Sequence, residues 1–117
     1  MNIGLDWDET VTEDVDTFMQ LITLFRSAGH AVFIVTARAP ENAKKCEQVL
    51  AEYNLGDVPV YGTTYRAKMP FMKAAGVRID VWIDDHPPRL LIDEVAEADV
   101  LSFRDFRHTH PLRRRYY

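Results

Sequence analysis

The residues that could do chemistry begin at Asp6 and Asp8, which flank Trp7 directly after the short apolar run Ile3-Gly4-Leu5. An extended chain repeats its side-chain direction every second residue, so the two carboxylates face the same way, and Trp7 the other, if strand geometry persists to this point. Two like charges held that close are unfavourable unless a cation lies between them or they share a proton. Three more polar groups follow apolar or precede helical patterns: Thr36, with Arg38 two residues on, Lys68, and the doublet Asp84-Asp85. Carboxylate and carbonyl oxygens suit a hard cation such as Mg²⁺. No His/Cys set at zinc spacing competes for that role, since His108 and His110 flank Thr109 without further ligands. A divalent ion, the Lys68 ammonium and the Thr36 hydroxyl in one place would receive a phosphoryl group, the cations neutralising its oxygens and the hydroxyl donating a hydrogen bond. A carboxylate in line could then act as nucleophile, giving an aspartyl-phosphate. A second could protonate the departing oxygen and later deprotonate water. Asp-rich loops also serve as plain turns and helix starts, so the elements that position these groups decide the matter.

Those elements alternate. Asn2 to Leu5 reads as a short buried strand, and Val11-Thr12 as a brief connection. Val15, Phe18, Met19, Ile22 and Phe25 recur at helical spacing, which predicts a core-facing helix from about Asp14 to Ala28 with Gly29 as its stop. Ala31-Val32-Phe33-Ile34-Val35 is the continuous apolar run of a strand covered on both faces. Pro40 opens a second helix, with Ala43, Cys46, Val49, Leu50 and Tyr53 as its inner stripe and Cys46 as a small core residue. Val58-Pro59-Val60-Tyr61 reads as an edge strand because of its proline, and Lys68 leads into a short helix. Ile79 to Ile83 is the fourth expected strand, followed by a helix from about Arg89 to Glu97 and a last strand at Val100 to Phe103. Strand-helix alternation predicts an α/β fold: a three-layer, Rossmann-like parallel sheet of about five strands with helices on both faces. Right-handed crossovers would place the carboxyl ends of the strands, and so the polar clusters, on one rim, where ligands of such sheets bind.

The chain of 117 residues is one domain's worth, and its single Cys46 cannot form an internal disulfide, which fits a reducing compartment. No apolar run approaches the roughly 18–20 residues that span a bilayer, and the first residues lack a secretory pattern, so a cytoplasmic protein with no membrane partner is expected. The net charge of −4 hides an asymmetry: from Arg104 onward the chain is basic, with Arg107, Arg113, Arg114 and Arg115 against Asp105. That divides the chain into a domain over 1–103 and a basic tail over 104–117, which is either a solvated terminus or an electrostatic foot for nucleic acid.

Asp6-x-Asp8-x-Thr10 after a strand, Thr36 closing a second, Lys68 before a helix and Asp84-Asp85 closing another strand resemble, in that order, the haloacid dehalogenase-like (HAD) phosphatases. The resemblance spans residues 2 to about 103. It implies Asp6 as nucleophile, Asp8 as general acid/base, and Thr36 and Lys68 as holders of the phosphoryl group. It implies Mg²⁺ bound by Asp6, by Asp8 through its backbone carbonyl, and by the acidic pair, Asp85 directly and Asp84 as the orienting or water-mediated member. Thr10 would brace the loop. Glu9 stands where the family commonly has Gly, and Lys73 is the fallback for Lys68. No insertion separates the first two motifs, or Thr36 from Lys68, so the resemblance is to the capless form. Arg38 resembles the Thr/Ser-x-Arg arrangement of the phosphatase domain of polynucleotide kinase-phosphatases, which makes it either a phosphate clamp or a helix-entry surface residue, and Trp7 and Tyr65 either stack on a base or simply pack. The expected function is a Mg²⁺-dependent phosphomonoesterase whose phosphorylated substrate is a nucleotide or a polynucleotide 3′-phosphate end. Two alternatives stand beside it. A receiver-like phospho-accepting module uses the same residue types, but its acidic pair comes first in the chain. A non-catalytic relative would bind nucleic acid through the Arg-rich tail.

Overall fold

In the computed structural model the described residues are 1–93. The expected strand at Val100 to Phe103, the far part of the helix expected to reach Glu97, the boundary at 103 and the basic tail lie outside them. Within them the chain runs β1 (Asn2–Leu5), a 3₁₀ turn (Val11–Glu13), α1 (Val15–Ser27), β2 (Ala31–Thr36), α2 (Pro40–Glu52), β3 (Val60–Gly62), α3 (Lys68–Ala74), β4 (Val81–Ile83) and α4 (Pro88–Leu91). The four strands form one parallel sheet in the order β3-β2-β1-β4, so the architecture is α/β and Rossmann-like, with four strands among the described residues rather than about five.

Local sequence explains most boundaries. Asp14 caps α1, its carboxylate accepting from the backbone N–H of Thr17 at 3.2 Å. Gly29 follows the helix at φ +90°, a conformation glycine adopts without a Cβ penalty. The α1 stripe packs as its spacing predicts: Val15, Met19 and Ile22 are buried with Ile3, Leu5, Ile34, Cys46 and Leu50, and Phe18 and Phe25 lie against them. The α2 stripe departs at its end. Tyr53 is the C-cap residue, 38% exposed, and its hydroxyl donates to Asp16. Cys46 is fully buried, and that burial pushes its thiol up to about 12, so it is inert packing. β3 is an edge strand, as Pro59 suggested, but starts two residues later than expected: Val58 is held in a turn by its N–H to the Leu55 carbonyl, 3.1 Å. Pro59 still contributes its carbonyl to Ile34 N–H at 2.9 Å. Among the described residues no helix is long and apolar enough to cross a membrane.

The sheet grows from β1 in two directions. β2 and β3 lie on one side, and the chain then returns past β1 to add β4 on the other. Leu5 pairs with Ile34 of β2 and Ile83 of β4, so β1 and β4 end at one level while β2 runs two residues further, to Thr36. The crevice outside β1 and β4 is the place where sheets of this kind bind ligands.

Gly62 at the end of β3 is required by close approach. A Cβ there would lie 2.6 Å from the Arg38 carbonyl oxygen and 3.1 Å from Ala39 C and Pro40 N, all backbone. Gly62→Ala is therefore expected to force the loop after β2 away from β3 and to destabilise the protein by about 1–3 kcal/mol. Urea melts would show it as a lowered midpoint with an unchanged slope.

Candidate active site

Chemistry collects where β1, β4 and α3 meet. β1 ends at Leu5, and the N–H of Asp6 still bonds the Ile83 carbonyl at 2.9 Å, which holds Asp6 beside β4. Asp6, Asp84 and Asp85 bring one carboxylate oxygen each within 4.8 Å of one another, the one such metal-capable group among the described residues. The Lys68 ammonium, at the first residue of α3, bridges two of them, 2.7 Å from Asp6 Oδ1 and 2.7 Å from Asp84 Oδ2. Lys68 is 1% exposed whereas Lys73 faces solvent, so the lysine at the helix start is the one that reaches the carboxylates. Asp93 fixes this helix start by accepting from the N–H of Ala67 at 2.8 Å. Thr10 Oγ1 lies 3.0 Å from Asp6 Oδ2 and 3.2 Å from Asp85 Oδ1, and accepts from the Asp85 N–H at 3.3 Å. One hydroxyl proton can serve only one of the two carboxylates.

The acidic pair divides its work. Asp84 has both oxygens engaged, Oδ2 by Lys68 and Oδ1 by the backbone N–H of His86 at 2.9 Å. Asp85 is the more exposed member of the pair, with its carboxyl group turned partly into the cluster against Thr10. Three carboxylates against one ammonium leave a formal −2 when all are ionised, the charge one divalent cation cancels. All-oxygen donors, one exposed member and that charge fit Mg²⁺.

The proton affinities follow from this crowding. Burial alone would raise Asp6, but the Lys68 ammonium and hydrogen bonds from Asp85, Lys68 and Thr10 outweigh it and hold its carboxyl below the usual range. Asp84 is raised, first by burial and then by the Asp6 charge, against the pull of Lys68. Burial, followed by the Asp6, Asp84 and Glu9 carboxylates, pushes Asp85 up to about 8. The folded, ion-free protein thus keeps a proton on Asp85 that the unfolded chain releases near 3.8. It binds more protons than the unfolded chain between those values, so stability falls as pH rises through that window. Asp6 acts oppositely, its contribution being lost only as pH falls below its ordinary value of 3.8. In chelator, the Tm is expected to drop from pH 5 to pH 8, and saturating Mg²⁺ to remove most of that drop. A Tm that rises with pH in chelator would contradict the assignment.

Two expectations need correction. The Asp8 carboxylate does not lie with that of Asp6 in the acidic cluster, as strand alternation would place it. The chain leaves strand geometry after Leu5 and turns, with Thr10 and Thr12 N–H both bonding the Trp7 carbonyl at 3.3 and 3.2 Å, so the every-second-residue alternation ends. The Asp8 carboxylate pairs instead with Arg38, Nη2 to Oδ1 at 2.6 Å and Nε to both oxygens at 3.2 and 3.1 Å. The same turn buries Trp7 completely, inside the core cluster, so its indole offers no face to a base. Thr36 is also fully buried, its hydroxyl accepting from the Arg38 N–H at 3.3 Å, where it fixes the turn that presents Arg38.

Sequence reasoning missed the Asp8–Arg38 pair because it depends on the β1–β2 register: with Leu5 level with Ile34, Asp8 and Arg38 lie three and four residues beyond that level, past the ends of both strands. Glu9 was seen only as a departure from Gly. It is buried, sits at φ +62° in the left-handed region, and adds its charge to the acidic cluster. His86 is buried and contributes its backbone N–H to Asp84. Comparison with family models, curated proteins and solved structures gives no match to this chain.

Proposed function

We propose that the protein is a Mg²⁺-dependent phosphomonoester hydrolase of the HAD-like type, acting through an aspartyl-phosphate on Asp6. The observation that supports this most is the convergence of Asp6, Asp84, Asp85 and Lys68 from the ends of β1 and β4 and the start of α3. These groups are up to 79 positions apart in the sequence, and turn chemistry gives no reason for them to meet. Asp6 and Asp85 would hold the ion, with Asp84 orienting it. When bound, the ion supplies neutralisation of the phosphoryl oxygens, which lets an anion approach carboxylates at all.

The chain's own residues do the rest. Lys68 holds Asp6 ionised and oriented through the bond that it shares between Asp6 and Asp84. In the first step an Asp6 oxygen bonds to phosphorus as the ester P–O bond breaks, and Asp8 gives a proton to the departing oxygen. In the second, Asp8 takes a proton from water, the water oxygen bonds to phosphorus, and inorganic phosphate leaves with the Asp6 carboxylate restored. In the structure Arg38 pairs with the Asp8 side chain, Nη2 to Oδ1 at 2.6 Å. Phosphoryl oxygens match a guanidinium fork as well as a carboxylate does, so arriving substrate competes for Arg38 and frees Asp8 to carry its proton.

Phosphate release from an aryl phosphate and from a 3′-phosphorylated oligonucleotide tests the reading. Turnover is expected in Mg²⁺, lost on chelation and restored by Mg²⁺. Protein that binds Mg²⁺ yet releases phosphate from neither ester, nor from a panel of phosphorylated metabolites, would overturn it.

A further inference from the structure

Lys68 stands at an unfavourable place for a cation. It is the first residue of α3, at the end where the helix dipole is positive, and α3 is only seven residues long. A helix that short depends on outside contacts for its position. Its start has no local cap either. Ala67 occupies the cap position and offers no side-chain acceptor, and Lys68, Met69 and Pro70 fill the first turn without an acidic residue. In a capping box the third helical residue reaches back to the N–H of the cap residue, and here that residue is Pro70, which cannot.

The acceptor comes from elsewhere in the chain. Asp93 Oδ1 takes the Ala67 N–H at 2.8 Å. Asp93 lies nine positions after Asp84, whose Oδ2 takes the Lys68 ammonium at 2.7 Å. One segment therefore grips the lysine twice: Asp84 at the ammonium, Asp93 at the backbone directly before it. Between the two carboxylates the segment is short and stiff. Pro87 and Pro88 restrict two successive φ angles. The Arg89, Leu90 and Ile92 N–H groups bond the His86, Pro87 and Pro88 carbonyls at 3.1, 3.0 and 2.9 Å, so α4 sets the spacing of Asp84 and Asp93. Asp93 is exposed, so core packing gives no reason for its place.

We infer that Asp93 is a positioning residue for the reaction, holding the start of α3 so that the Lys68 ammonium stands between Asp6 and Asp84. The inference rests on the phosphomonoesterase reading above and adds to it a residue that acts through Lys68 without touching substrate. Misplacing a group at the reacting centre by about 1 Å costs on the order of 10²-fold in rate. Losing one hydrogen bond at a helix start displaces Lys68 by less, so a fall of about tenfold is expected.

The test uses the full chain in Mg²⁺ with an aryl phosphate. It compares wild type with Asp93→Ala, which removes the acceptor, and Asp93→Asn, which keeps an oxygen for the Ala67 N–H. In Asp93→Ala kcat is expected to fall about tenfold with KM within about twofold of wild type, and in Asp93→Asn kcat is expected to return to within about threefold. The ¹H–¹⁵N signal of the Lys68 ammonium, assigned by its absence in Lys68→Arg, reads the same displacement without turnover. It should move in Asp93→Ala and stay in Asp93→Asn. Urea melts check that both variants are folded under the assay conditions. In an active protein, either kcat or the ammonium signal unmoved in Asp93→Ala overturns the inference while leaving the hydrolase standing, as does an Asp93→Asn variant that behaves like Asp93→Ala. No phosphate release from wild type sinks the hydrolase, and the ammonium signal then decides alone: moved in Asp93→Ala and restored in Asp93→Asn keeps the positioning role, and any other result sinks both.

Discussion

Asp6→Asn is expected to abolish phosphate release, by about 10⁴-fold or more, while leaving the protein folded. An amide oxygen is a poor nucleophile, and the replacement keeps the shape of a side chain that is 7% exposed and touches Lys68 and Thr10. Its electrostatic effects on the ion-free fold oppose each other. Lys68 loses one of its two charged partners but keeps Asp84, and Asp84 and Asp85 lose a repelling neighbour. The same change carries an internal control: without the Asp6 charge and hydrogen bond, Asp85 should titrate lower than about 8. Activity in the variant within a factor of ten of wild type would rule out Asp6 as nucleophile. A cooperative unfolding transition is the check that silence is not simply loss of fold.

Lys68→Met is expected to produce the largest loss of stability. The Lys68 side chain is 2% exposed and its ammonium lies 2.7 Å from both Asp6 and Asp84, whose own side chains are 8% and 2% exposed. Removing one partner of a buried ion pair leaves uncompensated charge and costs about 3–5 kcal/mol. That is a large share of the roughly 5–15 kcal/mol that holds a domain together. Met fills similar volume, so the loss reads charge rather than a cavity. The loss should be largest near pH 8 in chelator and smaller near pH 5, where the crowded carboxyls take up protons. Mg²⁺ should recover part of it. Turnover should fall about 10²–10³-fold, the usual effect of losing a preorganised charge at the reacting group. Urea melts at the two pH values, with and without Mg²⁺, would settle it. A variant as stable as wild type under all four conditions would show that Lys68 is not what neutralises the cluster.

Legibility differed by the range of the physics involved. Val15, Met19 and Ile22 declared their buried face through helical spacing, and Asp14 and Gly29 marked the helix ends within a residue. Those signals are local, so the sequence carries them whole. Lys68 was preferred to Lys73 from its place at a helix start, and its burial against Asp6 agrees with that preference. Alternation puts the Asp8 carboxylate beside Asp6 only while the strand lasts, and Trp7 is buried in the core rather than exposed to stack on a base. Whether the strand lasts is decided by the turn that bonds Thr10 and Thr12 back to Trp7.

The sequence by itself determined the order of elements, their inner faces and the set of oxygen and nitrogen groups standing at strand ends. Hydrophobic period, caps and turn residues act over a few positions and survive without the fold. Only the tertiary structure decided which charges became partners: Lys68 between Asp6 and Asp84, Arg38 on Asp8, Thr10 between Asp6 and Asp85. Those choices depend on strand order and on distances of a few ångströms, because in a partly desolvated crevice the nearest opposite charge dominates the energy of each group.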